Sequence, residues 1–223
     1  MNRIDMSAVH SEGSILSTNK LIKNTYLLLS MTLLFSAATA GLSMVFNLPH
    51  PGMILTLVGF YGLFFLTHKF ANSSMGLVCV FALTGFMGLT IGPIISAYTT
   101  MFSNGNELVM TAMGGTGVIF LGLSGYALTT RKNFSFMGGF LMVGVLVAFL
   151  AGIGAAIFSI PALSLAVSAM FVLLMSGMIL YQTSDLVHGG ETNYILATVG
   201  LYVTIYNLFL SLLHLLGAFA GRD

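Results

Sequence analysis

Seven long apolar stretches, separated by short polar connectors, take up nearly all of this 223-residue chain, and that alternation decides most of what it can become. A hydrocarbon core about 30 Å thick is crossed by about 20 helical residues. The stretches, at 25–46, 52–67, 74–97, 107–129, 136–158, 162–183 and 194–217, reach or approach that length with no full charge in the middle. The seven Lys and Arg and the six Asp and Glu fall almost entirely outside them. The sequence therefore predicts an all-α membrane protein: a cytoplasmic N-terminal tail over 1–24, then a bundle of seven transmembrane helices over 25–223.

Helices are preferred to barrel strands because the apolar runs are continuous rather than alternating, and lipid leaves only those two ways to satisfy the backbone. The connectors agree. Asn47-Leu48-Pro49-His50-Pro51 cannot continue a helix, and Ser103-Asn104-Gly105-Asn106 offers caps for one beginning at Glu107. The second stretch is the shortest and can extend through His68 and Lys69 if the lysine stem snorkels outward.

A chain that is 57% hydrophobic and 6% charged lies far from a soluble domain, where about a quarter of residues are charged. Its few basic residues are scattered, which argues against a nucleic-acid partner. The single cysteine, Cys79, excludes an internal disulfide and reads as a buried thiol. Residues 1–24 lack the apolar centre and small-residue cleavage site of a secretory signal, so they are expected to remain as a tail. With that tail in the cytoplasm, Arg3, Lys20, Lys23, Lys69, Arg131 and Lys132 all lie on one side and only Arg222 falls outside the pattern. The C-terminus then lies across the membrane, and the connector 184–193 is cytoplasmic with Asp185 and Glu191.

Small residues recur at helical spacing: Gly88 with Gly92, and Gly144, Ala148, Gly152 and Ala156. They let backbones approach closely, and packing within one bundle is preferred to a dedicated dimer face. The sequence offers no metal-ligand cluster, no nucleophile with a base and no cofactor motif. Gly114-Gly115-Thr116-Gly117 lies mid-span and lacks the lysine of a phosphate loop. An enzyme is thus the least favoured class.

Polar groups at membrane depth need a partner or a watery cavity. Gln182 and Asp185 share one helix face, as do Thr204 and Asn207. If the faces meet, the four form a polar cluster near the cytoplasmic mouth of the bundle. They either bond neighbouring helices or line an ion or proton route, with Lys23 or Lys69 as counter-charges. His214, toward the other end, reads as an interfacial histidine, and Glu107 as a partner for its helix dipole.

Gly85 through Phe120, with Gly92-Pro93, Leu108-Val109, Ala112 and Thr116 to Phe120, resembles the signature of the Bax inhibitor-1 family of seven-helix membrane proteins. Tyr181-Gln182-Thr183, His188, Tyr194, Ala197, Leu201-Tyr202 and Asn207-Leu208-Phe209 resemble its last two helices. Leu16-Ser17-Thr18, Asn24-Thr25-Tyr26, Thr129-Thr130-Arg131-Lys132 and the run from His188 to Tyr194 are similar to a bacterial branch that modulates the membrane protease FtsH. The resemblance implies an inner-membrane protein that binds FtsH and restrains its attack on other membrane proteins. Residues 1–23, where Ser, Asn and charges dominate and apolar periodicity is weak, are expected to be a disordered handle for such a protease. It also implies, as the alternative, a calcium or proton leak gated by two aspartates in the sixth and seventh helices. Here Gln182 and Thr204 stand at those positions, and neither ionises. A carboxylate pair can share a proton, whereas an amide and a hydroxyl cannot. Asp185 alone is a poor calcium site, since that ion takes about six to eight oxygens.

Overall fold

The computed structural model describes residues 3–221, with side chains from Ser17 onward. Its helices are α1 (Arg3–Val45), α2 (Met53–Phe70), α3 (Ser74–Met101), α4 (Gly105–Thr130), α5 (Gly138–Ile157), α6 (Pro161–His188) and α7 (Tyr194–Ala220), with a short 3-10 turn, Ser135–Met137, before α5. All seven helices are long and apolar enough to cross a membrane, and the first span occupies Ser17–Val45. The expected spans are therefore present, with ends that shift by several residues. Two of the shifts matter. α1 begins at Arg3, so the segment expected to be a disordered handle runs helically into the first span. α6 continues to His188, which places Asp185 in a helical turn and shortens the expected connector. Arg222 lies outside the described residues.

The breaks between helices have local causes. After α1 the chain takes a left-handed turn at Asn47 (φ 48°), passes Pro49 and Pro51, and enters α2 through Gly52 at φ 84°, a conformation that side chains with a Cβ rarely adopt. α6 starts on Pro161, where the missing N–H costs nothing, and ends on Gly189 in the left-handed conformation. α2 does run through His68 and Lys69, and the Lys69 ammonium lies 5.8 Å from the Phe70 ring centre.

α7 stands at the centre of the bundle, with Val199, Leu201, Leu208 and Leu213 fully buried and α1, α3, α4 and α6 packed around it. α5 lies outside against α6, and α2 outside against α3. Both small-residue motifs make contacts within the chain, the second as far as Gly152, with Ala156 exposed. A Cβ on Gly88 would sit 2.3 Å from the Ser36 carbonyl oxygen, and one on Gly92 would sit 2.6 Å from Ser43 Cβ. Only glycine lets α3 lie this close to α1. A Cβ on Gly144 would press the Leu174 side chain of α6 at 2.6 Å, and Ala148 beside it is fully buried. Cys79 is buried, as expected.

One helix defect is repaired by another helix. Pro93 lies inside α3 and has no N–H, so the carbonyl of Leu89, one turn earlier, loses its ordinary donor. The Ser43 hydroxyl of α1 donates to that carbonyl at 3.0 Å. In lipid such a repair has to come from a neighbouring group, because no bulk water is present.

Candidate functional site: a polar cluster within the membrane

Gln182 in α6 and Thr204 in α7 face each other because α7 carries Gly200 at their level. A Cβ there would lie 3.3 Å from Gln182 Nε2. The Thr204 hydroxyl lies 3.1 Å from Gln182 Oε1 and 3.0 Å from the Gly200 carbonyl, so it can donate to either acceptor. Thr204 is buried. The two helix faces thus come together at this pair.

The rest of the expected cluster does not assemble. Asp185 has its carboxylate folded over the α6–α7 turn, close enough that a Cβ on Gly190 would sit 2.0 Å from Asp185 Oδ1. Asn207 turns back on its own helix, donating from Nδ2 to the Val203 carbonyl at 2.8 Å. Lys23 and Lys69 are exposed rather than tucked in as counter-charges. Asp185 lies nearly one turn beyond Gln182, at the end of α6, and its carboxylate sits beside Gly190 rather than beside Thr204. Asn207 missed the cluster because a carbonyl of its own helix, one turn back, took its amide donor. His214 shares a 2.7 Å hydrogen bond with Ser168, and Glu107 is exposed at the first turn of α4.

Hydroxyl groups supply what the carboxylates and amides do not. Tyr26 of α1 is hydrogen-bonded to Ser124 of α4 and, at 3.2 Å, to Thr183 of α6; Ser124 and Thr183 are 3.0 Å apart. Tyr202 of α7 shares a 2.6 Å bond with Ser36 of α1 and donates to the Thr84 carbonyl of α3 at 3.3 Å. Tyr206, one turn on, lies 3.1 Å from Thr90 of α3. These groups carry no charge and hold helices together. The signal for them was the pair of tyrosines four apart in α7, Tyr202 and Tyr206, which share a face. Thr25 Oγ1 is the one buried side-chain polar atom without a partner among the described residues.

The loops at the lysine-bearing end are tied together as well. Asn193 caps α7 by accepting from the Ile195 and Leu196 amides through Oδ1. Its Nδ2 donates to the Ala71 carbonyl and to Asn72 Oδ1, joining the α6–α7 turn to the α2–α3 turn. Ser184 donates to the Lys132 carbonyl at 3.1 Å and accepts from the Phe134 amide at 2.9 Å, joining α6 to the α4–α5 connector. Glu191 Oε1 accepts from the Thr192 and Asn193 amides. No group of three or more metal-ligating side chains occurs among the described residues.

Against known proteins, the family described as "Inhibitor of apoptosis-promoting Bax1" matches residues 18–221. "Modulator of FtsH protease YccA" of Escherichia coli strain K12 is 52% identical over 223 residues, covering all of both chains. An "Uncharacterized membrane protein" of Vibrio cholerae is 44% identical over 224 residues, again covering all of both chains. A Pseudomonas aeruginosa protein of uncharacterized function is 52% identical over 202 residues, 91% of this chain and 90% of its own.

Proposed function

The chain belongs to the Bax inhibitor-1 family, and from that premise we propose that it is a multi-pass inner-membrane protein that binds the ATP-dependent membrane protease FtsH and restrains its degradation of other membrane proteins. The observation that carries the proposal is end-to-end identity of 52% with a protein named as a modulator of that protease.

The architecture supports a physical route to such an effect. A protease that pulls its substrate out of the bilayer has to break the contacts that hold the bundle together. In this chain every helix is apolar, α1 and α3 lie in glycine contact, and on one side side-chain hydrogen bonds tie the α2–α3 turn to the α6–α7 turn and the α4–α5 connector to α6. The N-terminal part of α1, reaching back to Arg3 and carrying exposed Lys20 and Lys23, supplies a segment to grip. Slow extraction then occupies the enzyme. In this proposal the N-terminus lies in the cytoplasm and the C-terminus in the periplasm, following the lysines and arginines.

The calcium or proton leak has no comparable support. Gating by protonation needs a group that changes charge, and the Gln182–Thr204 pair has none, while Asp185 is held at the turn.

The test is co-purification of the tagged chain from mild detergent, combined with turnover of a second membrane substrate of the protease in cells. The full chain is expected to bring down the protease and to slow that turnover. Removal of the first 20 residues is expected to abolish degradation of the chain itself while leaving it inserted. Failure of the protease to co-purify, together with unchanged substrate turnover, overturns the proposal.

A further inference from the structure

A cavity of about 830 Å³ opens on one side of the bundle. α1 and α4 form its two lips, and α3 and α7 form its back wall. Among the described residues no Cα of α1 comes within 8 Å of one in α4; Tyr26 and Ser124 bridge the two helices nearer the lysine-bearing end, and along the cavity their backbones stand apart. The cavity spans the half of the bundle away from the lysines, from Thr99 and Asn106 beside the α3–α4 turn to Ser36 and Tyr202 at mid-membrane. Its size falls in the range of sites that hold a drug-sized ligand, about 300–1,000 Å³.

Water is a poor occupant. At about 30 Å³ per molecule, filling the space takes roughly 28 waters, each wanting about three hydrogen bonds. The wall is mostly apolar, and each hydroxyl on it is already engaged: Ser36 with Tyr202, Tyr206 with Thr90, Thr116 with the Ala112 carbonyl and Thr99 with the Ser96 carbonyl. Large apolar cavities stay dry and take apolar guests.

The lips also leave the space open when they need not. Gly41 on α1 and Gly117 on α4 both line the cavity, and a Cβ on either would meet nothing within 4 Å. Unlike Gly88 and Gly92, they serve no helix contact. Gly117 closes the glycine-rich run at 114–117, which has no phosphate-loop role. Met110 and Met113, mobile thioether side chains that fill irregular gaps, stand exposed on the α4 lip at 72% and 57%.

We propose that this cavity is a lateral binding site for a phospholipid acyl chain, drawn from the leaflet on the α3–α4 loop side, with the headgroup near Thr99 and Asn106 and the chain directed toward Tyr202. The mouth faces hydrocarbon because its lips belong to transmembrane helices, so the abundant apolar molecule at the opening is lipid. The inference is independent of any protease partner.

The purified chain is reconstituted in vesicles of phosphatidylethanolamine and phosphatidylglycerol, a fraction of the latter carrying a photoreactive diazirine on its acyl chain, and adducts are mapped by peptide mass spectrometry. Labelling is expected to concentrate on Met44, Met110 and Met113, several-fold above the lipid-facing Val58 and Leu146. It should fall to that background in Gly41→Leu/Gly117→Leu and persist in Gly62→Leu/Gly122→Leu, whose added side chains also meet open space. Equal labelling of cavity and outer faces overturns the proposal. So does reaction of Met113→Cys with a water-soluble maleimide as fast as Asn104→Cys, which marks a wet cleft. So does a photoreactive probe at Met113 that captures a neighbouring protein in whole membranes instead of lipid.

Discussion

The two ends of the bundle are held together in different ways. At the end bearing Lys69, Arg131 and Lys132, the turns are tied by Asn193 and Ser184, and Tyr26, Ser124 and Thr183 join three helices just inside. At the other end α1 and α4 part around an 830 Å³ cavity, no loops are tied in this way, and α1 meets α3 in a close glycine contact beside single hydrogen bonds such as Ser43 to Leu89 and Ser168 to His214. Loop-to-loop polar ties thus mark the first end, and an open groove beside a close helix pair marks the second.

Four tests can break or sharpen that contrast, the largest effect first. Gly88→Leu drives a Cβ against the α1 backbone at Ser36 and is expected to abolish accumulation of folded chain, while Gly41→Leu, with nothing within 4 Å, is expected to leave it unchanged. Gel filtration in detergent and protease resistance decide between them; equal loss from both would mean that the lips are closed in the membrane. Asn193→Ala removes a helix cap and the bonds to Ala71 and Asn72, at a cost of about 2 kcal/mol in denaturant unfolding. A loss near zero would show the tied end to be ornamental.

Ser43→Ala orphans the Leu89 carbonyl and is expected to cost about 1 kcal/mol. The same change in a Pro93→Ala background should cost much less, because residue 93 then has an N–H for that carbonyl. Equal costs in both backgrounds would deny the repair. Thr204→Val is expected to cost about 0.6 kcal/mol, the average for a hydrogen bond between membrane helices. Wild-type vesicles loaded with a calcium dye should in parallel show no flux that switches with pH, and a pH-gated flux would return Asp185 to consideration.

The spans were legible because a twenty-residue apolar run without charge has few alternatives, and the prolines and glycines between them mark real breaks. The ends were less legible. Nothing in Ser184-Asp185-Leu186-Val187-His188 forbids one more helical turn, and Gly189 is what stops it. Of the four residues placed in the polar cluster, spacing found the pair that meets, since Gln182 and Thr204 lie on helices that do pack. Spacing could not say that Asn207 would bond to Val203 or Asp185 fold over Gly190, because the first turns on a nearer carbonyl of its own helix and the second on where α6 ends. The hydroxyl contacts were hidden for a related reason: serine and threonine satisfy themselves on their own helix so readily that only neighbours reveal which ones reach across. The gap between α1 and α4 has no sequence signature, because composition tells that a helix faces something apolar and not whether that is protein or lipid.

The mending of the Pro93 defect by Ser43 has a consequence for biogenesis. A helix bearing an unserved carbonyl is costly to release into lipid alone, and the hydroxyl that serves it belongs to a segment made earlier by the ribosome. The order of translation thus places the remedy in the bilayer before the fault arrives, and a circular permutant that delivers α3 first would have to carry the fault until its partner followed.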